Sequence, residues 1–273
     1  LPESIARLHR LEMLSLYKNE ISILPPAIAD LKNLKFLNLG NNKLTSLPEE
    51  IGMLHQLETL DAGHNLITTL PESIRELEQM SGFLYLSNNQ LSSLPDGIGD
   101  LIRLRYLNVS SNQLQTLPGR IGEMKSLIEL RAYDNKLNVL PDAIGDLISL
   151  RELHLMNNRL SELPDAIGKL SRLKELRLQN NNITFLPSGI GGLSNLSILD
   201  VRNNQLVSLP DSIGSLSDLT FLDLRRNQLT GLPEGIRYLP RLEKLDLRWN
   251  NSLRIPDWVD ELEDRGCVVY RPA

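Results

Sequence analysis

The side chains in this sequence most capable of chemistry are four histidines, His9, His55, His64 and His154, one cysteine, Cys267, and arginines, acids and aromatics that recur at a fixed interval. No two histidines stand at a metal-ligand spacing such as His-x-x-x-His, and each reads as a surface residue. His64 and His154 fall on the same side of the repeating pattern described below, but several repeats apart, which argues against joint catalysis. The Ile-Gly steps at Gly52, Gly122 and Gly145 recur with the interval and do not form a Gly-rich phosphate loop. Nothing beyond the abundance of the residue types suggests a Ser-His-Asp triad. Cys267 is followed by Val268, Val269 and Tyr270, which read as a buried strand, whereas a reactive thiolate needs an electropositive, partly exposed setting. These features predict a non-enzyme with no cofactor, no metal and no small-molecule substrate. The chemistry that remains is recognition.

The elements that position the recurrent residues are set by asparagine. It returns at Asn19, Asn42, Asn65, Asn89, Asn112, Asn135, Asn158, Asn181, Asn204, Asn227 and Asn250, a step of 23 residues, or once 24. Self-similarity at this period marks a solenoid, in which one unit cannot bury its apolar face alone and stacked neighbours share a continuous core. From Leu47 to Leu70 the apolar positions are Leu47, Ile51, Leu54, Leu57, Leu60, Ala62, Ile67 and Leu70. The Leu60-x-Ala62 pair has the period of a strand with one buried face. The asparagine amide can both donate to and accept from backbone groups of neighbouring turns. Proline after leucine fixes φ for the returning segment, and the spacing of Ile51, Leu54 and Leu57 predicts a helical or 3-10 turn facing inward. The expected fold is an α/β solenoid, a horseshoe with a parallel sheet on its concave face and short helical or 3-10 turns on its convex face. Each turn buries about six apolar side chains worth roughly 1.5–3 kcal/mol apiece, so the leucines and asparagines are scaffold.

Residues 1–256 read as eleven such repeats and 257–273 as a C-terminal cap, a short helix carrying Trp258, Val259 and Leu262, stopped at Gly266 and followed by a strand. The fourth repeat has one residue too many among Ser81, Gly82 and Phe83, which predicts a bulge. No comparable cap precedes Leu1, so the expectation is that N-terminal sequence has been removed and that the first strand's edge offers a contact; the chain is otherwise expected to be a monomer.

Composition narrows the partners. The net charge is −5, with acids interspersed among the basic residues, and this gives no footprint for a phosphate backbone. Nucleic acid is excluded on that ground, and no apolar run approaches the length of a membrane span. One cysteine leaves no internal disulfide framework, and a cytoplasmic location is expected.

Positions between and just after the strand leucines line the expected concave face. In the N-terminal half they hold Tyr17, Phe36, Phe83, Tyr85, Tyr106 and Tyr133; in the C-terminal half they hold Arg131, Arg177, Arg202, Arg225 and Arg248, interleaved with acids and with His154, Phe221 and Trp249. Aromatics favour strands and stack across them, but Tyr, Trp and Arg also dominate interface hot spots. A chain only 4% aromatic has concentrated them on one face, so these are the candidate partner-binding residues. For the arginines, pairing with acids on neighbouring strands is an equally weighted alternative.

The unit Leu-Pro-x-x-Ile-Gly-x-Leu-x-x-Leu-x-x-Leu-x-Leu-x-x-Asn-x-Leu, almost intact from Leu163 to Leu206, resembles the 23-residue leucine-rich repeats of the Ras-group proteins. These include the Ras suppressor, scaffold proteins of the MAP-kinase pathway, intracellular plant relatives and many bacterial proteins. The ending with Trp249-Asn250, Pro256-x-Trp258 and Gly266 to Tyr270 looks like the terminal cap of bacterial members. The resemblance implies protein–protein recognition through the concave surface. As an alternative, it implies the targeting domain of a larger enzyme, such as a kinase or a bacterial effector ubiquitin ligase delivered into a host cytoplasm.

Overall fold

The computed structural model describes residues 1–272 and divides the chain into two compact units, Leu1–Lys136 and the residues from Leu137 onward. In the first unit the strands are β1 (Met13–Ser15), β2 (Phe36–Asn38), β3 (Thr59–Asp61), β4 (Phe83–Tyr85), β5 (Tyr106–Asn108) and β6 (Glu129–Arg131). They pair in parallel and in chain order, with Leu14, Leu37, Leu60, Leu84, Leu107 and Leu130 in register. The second unit repeats this with β7 (Glu152–His154), β8 (Glu175–Arg177), β9 (Ile198–Asp200), β10 (Phe221–Asp223), β11 (Lys244–Asp246) and β12 (Val268–Tyr270). Here Leu153, Leu176, Leu199, Leu222, Leu245 and Val269 share the register. Each unit is thus a solenoid of parallel strands, as the repeat predicts.

The returning segments are 3-10 turns, each entered from an extended proline such as Pro118, with φ −64 and ψ 148. The missing N–H of proline costs nothing at this position, and its ring fixes the entry angle. Each turn is one short 3-10 element, and from the second turn onward Ile51 or its counterpart points inward and is fully buried, whereas Ile5 of the first is half-buried. The following leucine closes it, as where Leu54 N–H donates to the Ile51 carbonyl at 3.1 Å. In the second unit these turns approach closely enough to require glycine: a Cβ added at Gly168 would lie 2.1 Å from the Gly189 carbonyl oxygen.

The asparagines do what their spacing predicts. Asn181 is buried; its Nδ2 donates to the carbonyls of Leu155 at 3.0 Å and Leu178 at 2.9 Å, while its Oδ1 accepts from Leu160 N–H at 3.0 Å. Asn65, Asn89, Asn112 and Asn204 repeat the arrangement. One amide per turn satisfies backbone groups that the packed turns exclude from water.

The residue before each of these asparagines adopts the left-handed conformation, from Lys18 (φ 58) through Asn157, Asn180 and Asn203 to Arg226 (φ 52) and Trp249 (φ 59). No glycine occupies this column. Asparagine tolerates it best, and in the second unit Asn180 donates to Asn157 Oδ1 at 2.5 Å while Asn203 donates to Asn180 Oδ1 at 2.6 Å.

The extra residue of the fourth repeat forms the expected irregularity. The pairing of β3 with β4 runs from Leu60 with Leu84 to Asp61 with Tyr85, and Gly82 N–H donates to the Glu58 carbonyl at 3.0 Å. A side chain at Gly82 would meet Thr59 Oγ1 at 2.4 Å, so glycine permits the detour.

At the C-terminal end α1 (Val259–Asp264) buries Val259 and Leu262 and stops before Gly266, at φ 91. The strand after it departs from expectation. Cys267 is buried, but Val268 is 51% and Tyr270 38% exposed. These two side chains stand on the same open sheet face as Lys244 and Asp246, their register partners, so this strand extends that face instead of lying beneath it.

Two stability experiments follow. Asn181→Ala should lose several kcal/mol in denaturant unfolding, since each buried backbone group left unsatisfied costs about 1–3 kcal/mol. Asn19→Ala should lose much less, because Asn19 is exposed and its amide reaches only the Leu16 and Tyr17 carbonyls. Gly168→Ala should cost about 1–3 kcal/mol through overpacking. Gly119→Ala, where an added Cβ meets nothing within 4 Å, should be neutral or mildly stabilising.

Candidate functional site

Within the first unit the expected aromatics are brought together at the irregular strand. Phe83 is 37% exposed; its ring stacks on Tyr85 at 5.3 Å and lies tilted against Tyr106 at 4.9 Å. Phe83 and Tyr85 flank Leu84 on one strand and Phe83 stands in register with Tyr106, so the three rings share one face. Beside them lies a cleft of about 220 Å³, lined by the three rings with Asn108, Glu129 and Arg131. Burial raises the Tyr85 hydroxyl above its ordinary pKa, with the nearby Arg131 opposing, so it is a neutral hydrogen-bonding group at physiological pH. Tyr17 is exposed, and Phe36 and Tyr133 are half-buried; none of the three belongs to this cluster.

The arginines are held differently from a free row of cations. Arg131 pairs with Glu129 and Arg177 with Glu175, each two residues back on its own strand. Asp200, Asp223 and Asp246 occupy one register on β9, β10 and β11 and are almost fully buried. Arg225 donates from Nε to Asp223 at 2.9 Å and lies 3.3 Å from Asp246, Arg248 donates to Asp246 at 2.9 Å, and Arg202 bridges Asp200 and Asp223 at 3.6 and 3.7 Å. Burial, then repulsion from Asp223, raises the Asp200 pKa. The pairing expected across strands is therefore present, but most bonds run within one strand. The reason is that a guanidinium two residues on reaches its own carboxylate directly.

His154 overturns the expectation of a surface histidine. It is 9% exposed, with Nε2 3.3 Å from Glu175 and 3.5 Å from Glu152. The neighbouring side chains on β7 and β8 close over it, which sequence spacing alone does not reveal. The other three histidines are exposed.

A second aromatic assembly lies at the end of the second unit. The Lys244 ammonium is 5.2 Å from the centre of Phe221 and 5.1 Å from that of Tyr270; the Arg248 guanidinium is 4.6 Å from Tyr270 and 5.3 Å from Trp249; Arg226 lies 4.9 Å from Trp249. Phe221, Arg248 and Trp249 are expected on this face. Lys244 and Tyr270 are not, although Lys244 stands in register with Phe221; Tyr270 reads from sequence as buried cap. Cys267, beneath this end, is buried, and burial raises its thiol pKa, so the unreactive reading suits its setting.

Among the described residues no group of three or more His, Cys, Asp or Glu side chains is arranged to hold a metal ion, and no helix is long and apolar enough to cross a membrane.

The profile for a leucine-rich repeat region matches residues 81–177 and 161–264, and that for two-copy leucine-rich repeats matches 9–51 and 32–76. No curated protein matches the chain. Among solved structures, the leucine-rich repeat protein LIC12759 of Leptospira interrogans is 36% identical, with a TM-score of 0.69, over 98% of this chain and 80% of that one. A TDR receptor is 30% identical, with a TM-score of 0.80, over 93% of this chain and 47% of its own. The plant peptide hormone receptor RGFR1, solved in complex with RGF2, is 27% identical, with a TM-score of 0.77, over 100% of this chain and 49% of its own. This chain thus spans about half the length of these two receptors. The matched repeats, the parallel strands and the asparagine at every turn place the chain in the leucine-rich repeat family.

Proposed function

We propose that the chain is a protein-recognition module of the 23-residue Ras-group type that binds a protein partner through the open face of its strands, read above as the concave surface. Leucine-rich repeat domains are generally protein-interaction modules, and RGFR1 is a relative solved with its ligand. The observation that carries the reading for this chain is the Phe83, Tyr85 and Tyr106 cluster. It presents stacked rings beside a cleft, where packing of the core would have buried or omitted them. Two rigid rings with polar tips and one apolar ring supply contact area at little entropic cost, and a preformed scaffold loses little order on binding. A cytoplasmic setting suits a chain with one buried thiol. The role of a targeting domain in a larger enzyme uses the same surface.

The arginines of the second unit enter this reading mainly as scaffold. Arg202, Arg225 and Arg248 neutralise carboxylates that the sheet has buried, and few of their donors remain for a partner.

Capture from cells of the source organism with wild-type protein and a Phe83→Ala/Tyr85→Ala/Tyr106→Ala variant tests the proposal. A partner recovered by the wild type should fall by at least about tenfold with the variant, as hot-spot residues imply. Equal recovery would move the interface off this face. The scaffold role of the aspartates predicts a pH effect. A carboxyl whose folded pKa is raised binds more protons folded than unfolded, so its contribution to stability falls as pH rises from the unfolded value through the folded one. Asp200→Asn should therefore keep or raise the melting temperature at neutral pH and flatten its dependence across that acidic window. A loss of stability at neutral pH that vanishes in acid would show the opposite sign.

A further inference from the structure

The assembly at the end of the second unit alternates ring and cation: Phe221, Lys244, Tyr270, Arg248, Trp249, Arg226. We propose that this alternating stack is a docking site for an acidic, aromatic-bearing segment of a protein partner. The inference rests on the recognition role proposed above and adds the chemistry of what is recognised.

Charge complementarity commits the site to that occupant. The three arginines on β9 to β11 and just beyond are matched by Asp200, Asp223 and Asp246. Arg226 and Lys244 have no carboxylate within ion-pair distance among the described residues; their contacts are the faces of rings. A chain with net charge −5 has thus left two cations uncompensated side by side with exposed aromatics, Trp249 at 46% and Tyr270 at 38%. Contact with ring faces uses none of the N–H donors of Arg226 and Lys244, which suits carboxylate oxygens. The exposed ring edges offer apolar contact between the charges.

Backbone conformation supplies a second, independent observation. Asn157, Asn180 and Asn203 fill the left-handed column in the preceding turns, and the residue type then changes to Arg226 and Trp249 with the backbone unchanged. Bulky side chains are disfavoured there, and asparagine is the residue that suits the position. Within this unit the sequence has therefore placed two large, exposed side chains at a conformational cost, as happens at binding sites; Lys18 and His64 hold the same conformation in the first unit.

Fluorescence anisotropy with a labelled peptide of alternating Glu and Tyr tests this, with Ser-Tyr and Lys-Tyr peptides and a single-stranded oligonucleotide as comparators. The Glu-Tyr peptide should bind saturably, at least about tenfold tighter than Ser-Tyr and progressively more weakly as salt is raised, and Lys-Tyr should not bind. Arg226→Asn/Trp249→Asn gives these two turns the residue of the three before them. It should melt at the wild-type temperature or above and weaken Glu-Tyr binding by about tenfold, the joint effect of a lost charge contact and a lost ring. Lys244→Gln should weaken it by a smaller factor. Equal binding of Glu-Tyr and Ser-Tyr, or full binding by the Asn/Asn variant, would overturn the proposal; tighter binding of the oligonucleotide would replace it with a nucleic-acid site. The two readings fail separately. If cellular capture depends on Phe83, Tyr85 and Tyr106 while the acidic probe does not bind, only the acidic site is lost. If the probe binds while capture ignores that cluster, the acidic site stands and the first-unit interface falls.

Discussion

Each turn of this chain depends on one buried amide. A 23-residue coil that closes in a short strand, a left-handed residue and a 3-10 turn leaves backbone carbonyls and an N–H pointing into a core from which stacked leucines have excluded water. Asn181 satisfies two carbonyls and one N–H at once, and the same side chain does so turn after turn. No other side chain of that size carries donor and acceptor in this geometry; aspartate would present only acceptors at neutral pH. The leucines supply most of the burial energy, but leucine alone would permit many registers. The amide fixes the one in which Leu199, Leu222 and Leu245 stand side by side.

That fixed register decides what the open face can hold. Residues flanking the strand leucines are lined up across neighbouring strands, so a residue type repeated at the period becomes a column. Three aspartates become a buried row, and three arginines fold back to neutralise it. Such a lattice stabilises little for its charge count, because the cost of burying the carboxylates offsets much of the attraction. Its effect is to hold the guanidiniums in place and to leave Arg226 and Lys244, which sit outside the aspartate register, in contact with ring faces instead.

The fold was legible because its determinants are periodic and identical in every turn: the strand, the proline-led 3-10 turn and the asparagine can be read from spacing alone. The irregular fourth repeat was legible for the same reason, as a break in the count at Gly82. What depends on contacts between turns was not. His154 looks like any polar residue on the face until Glu152 and Glu175 are brought beside it. Tyr270 looks like core because Val-Val-Tyr is an apolar run, yet in a strand two of its three side chains must point to the open face. The left-handed column had a signal in the sequence, since Asn41, Asn88, Asn157, Asn180 and Asn203 stand immediately before ladder asparagines. Repeated Asn-Asn pairs are what a positive-φ residue before a buried amide looks like, and Trp249 is the bulkiest of the residues that replace asparagine there, beside Lys18, His64, Ser111, Asp134 and Arg226.

The two aromatic assemblies were made by different physical routes. At Phe83 the regular register with β5 sets one ring beside Tyr85 and Tyr106, while the inserted residue interrupts pairing toward β3, a local defect that the neighbouring regular turns tolerate. At Trp249 the register is undisturbed and the substitution falls on a strained position of an otherwise regular turn. A solenoid accepts both because each turn's core is built by its own leucines and its immediate neighbours, and a departure on the open face leaves the buried set intact. Recognition surfaces can therefore vary on this scaffold without renegotiating the fold, provided the asparagine and the leucines of each turn are kept. The open face is consequently free to differ most where the repeat is least regular, at Phe83 and at Trp249.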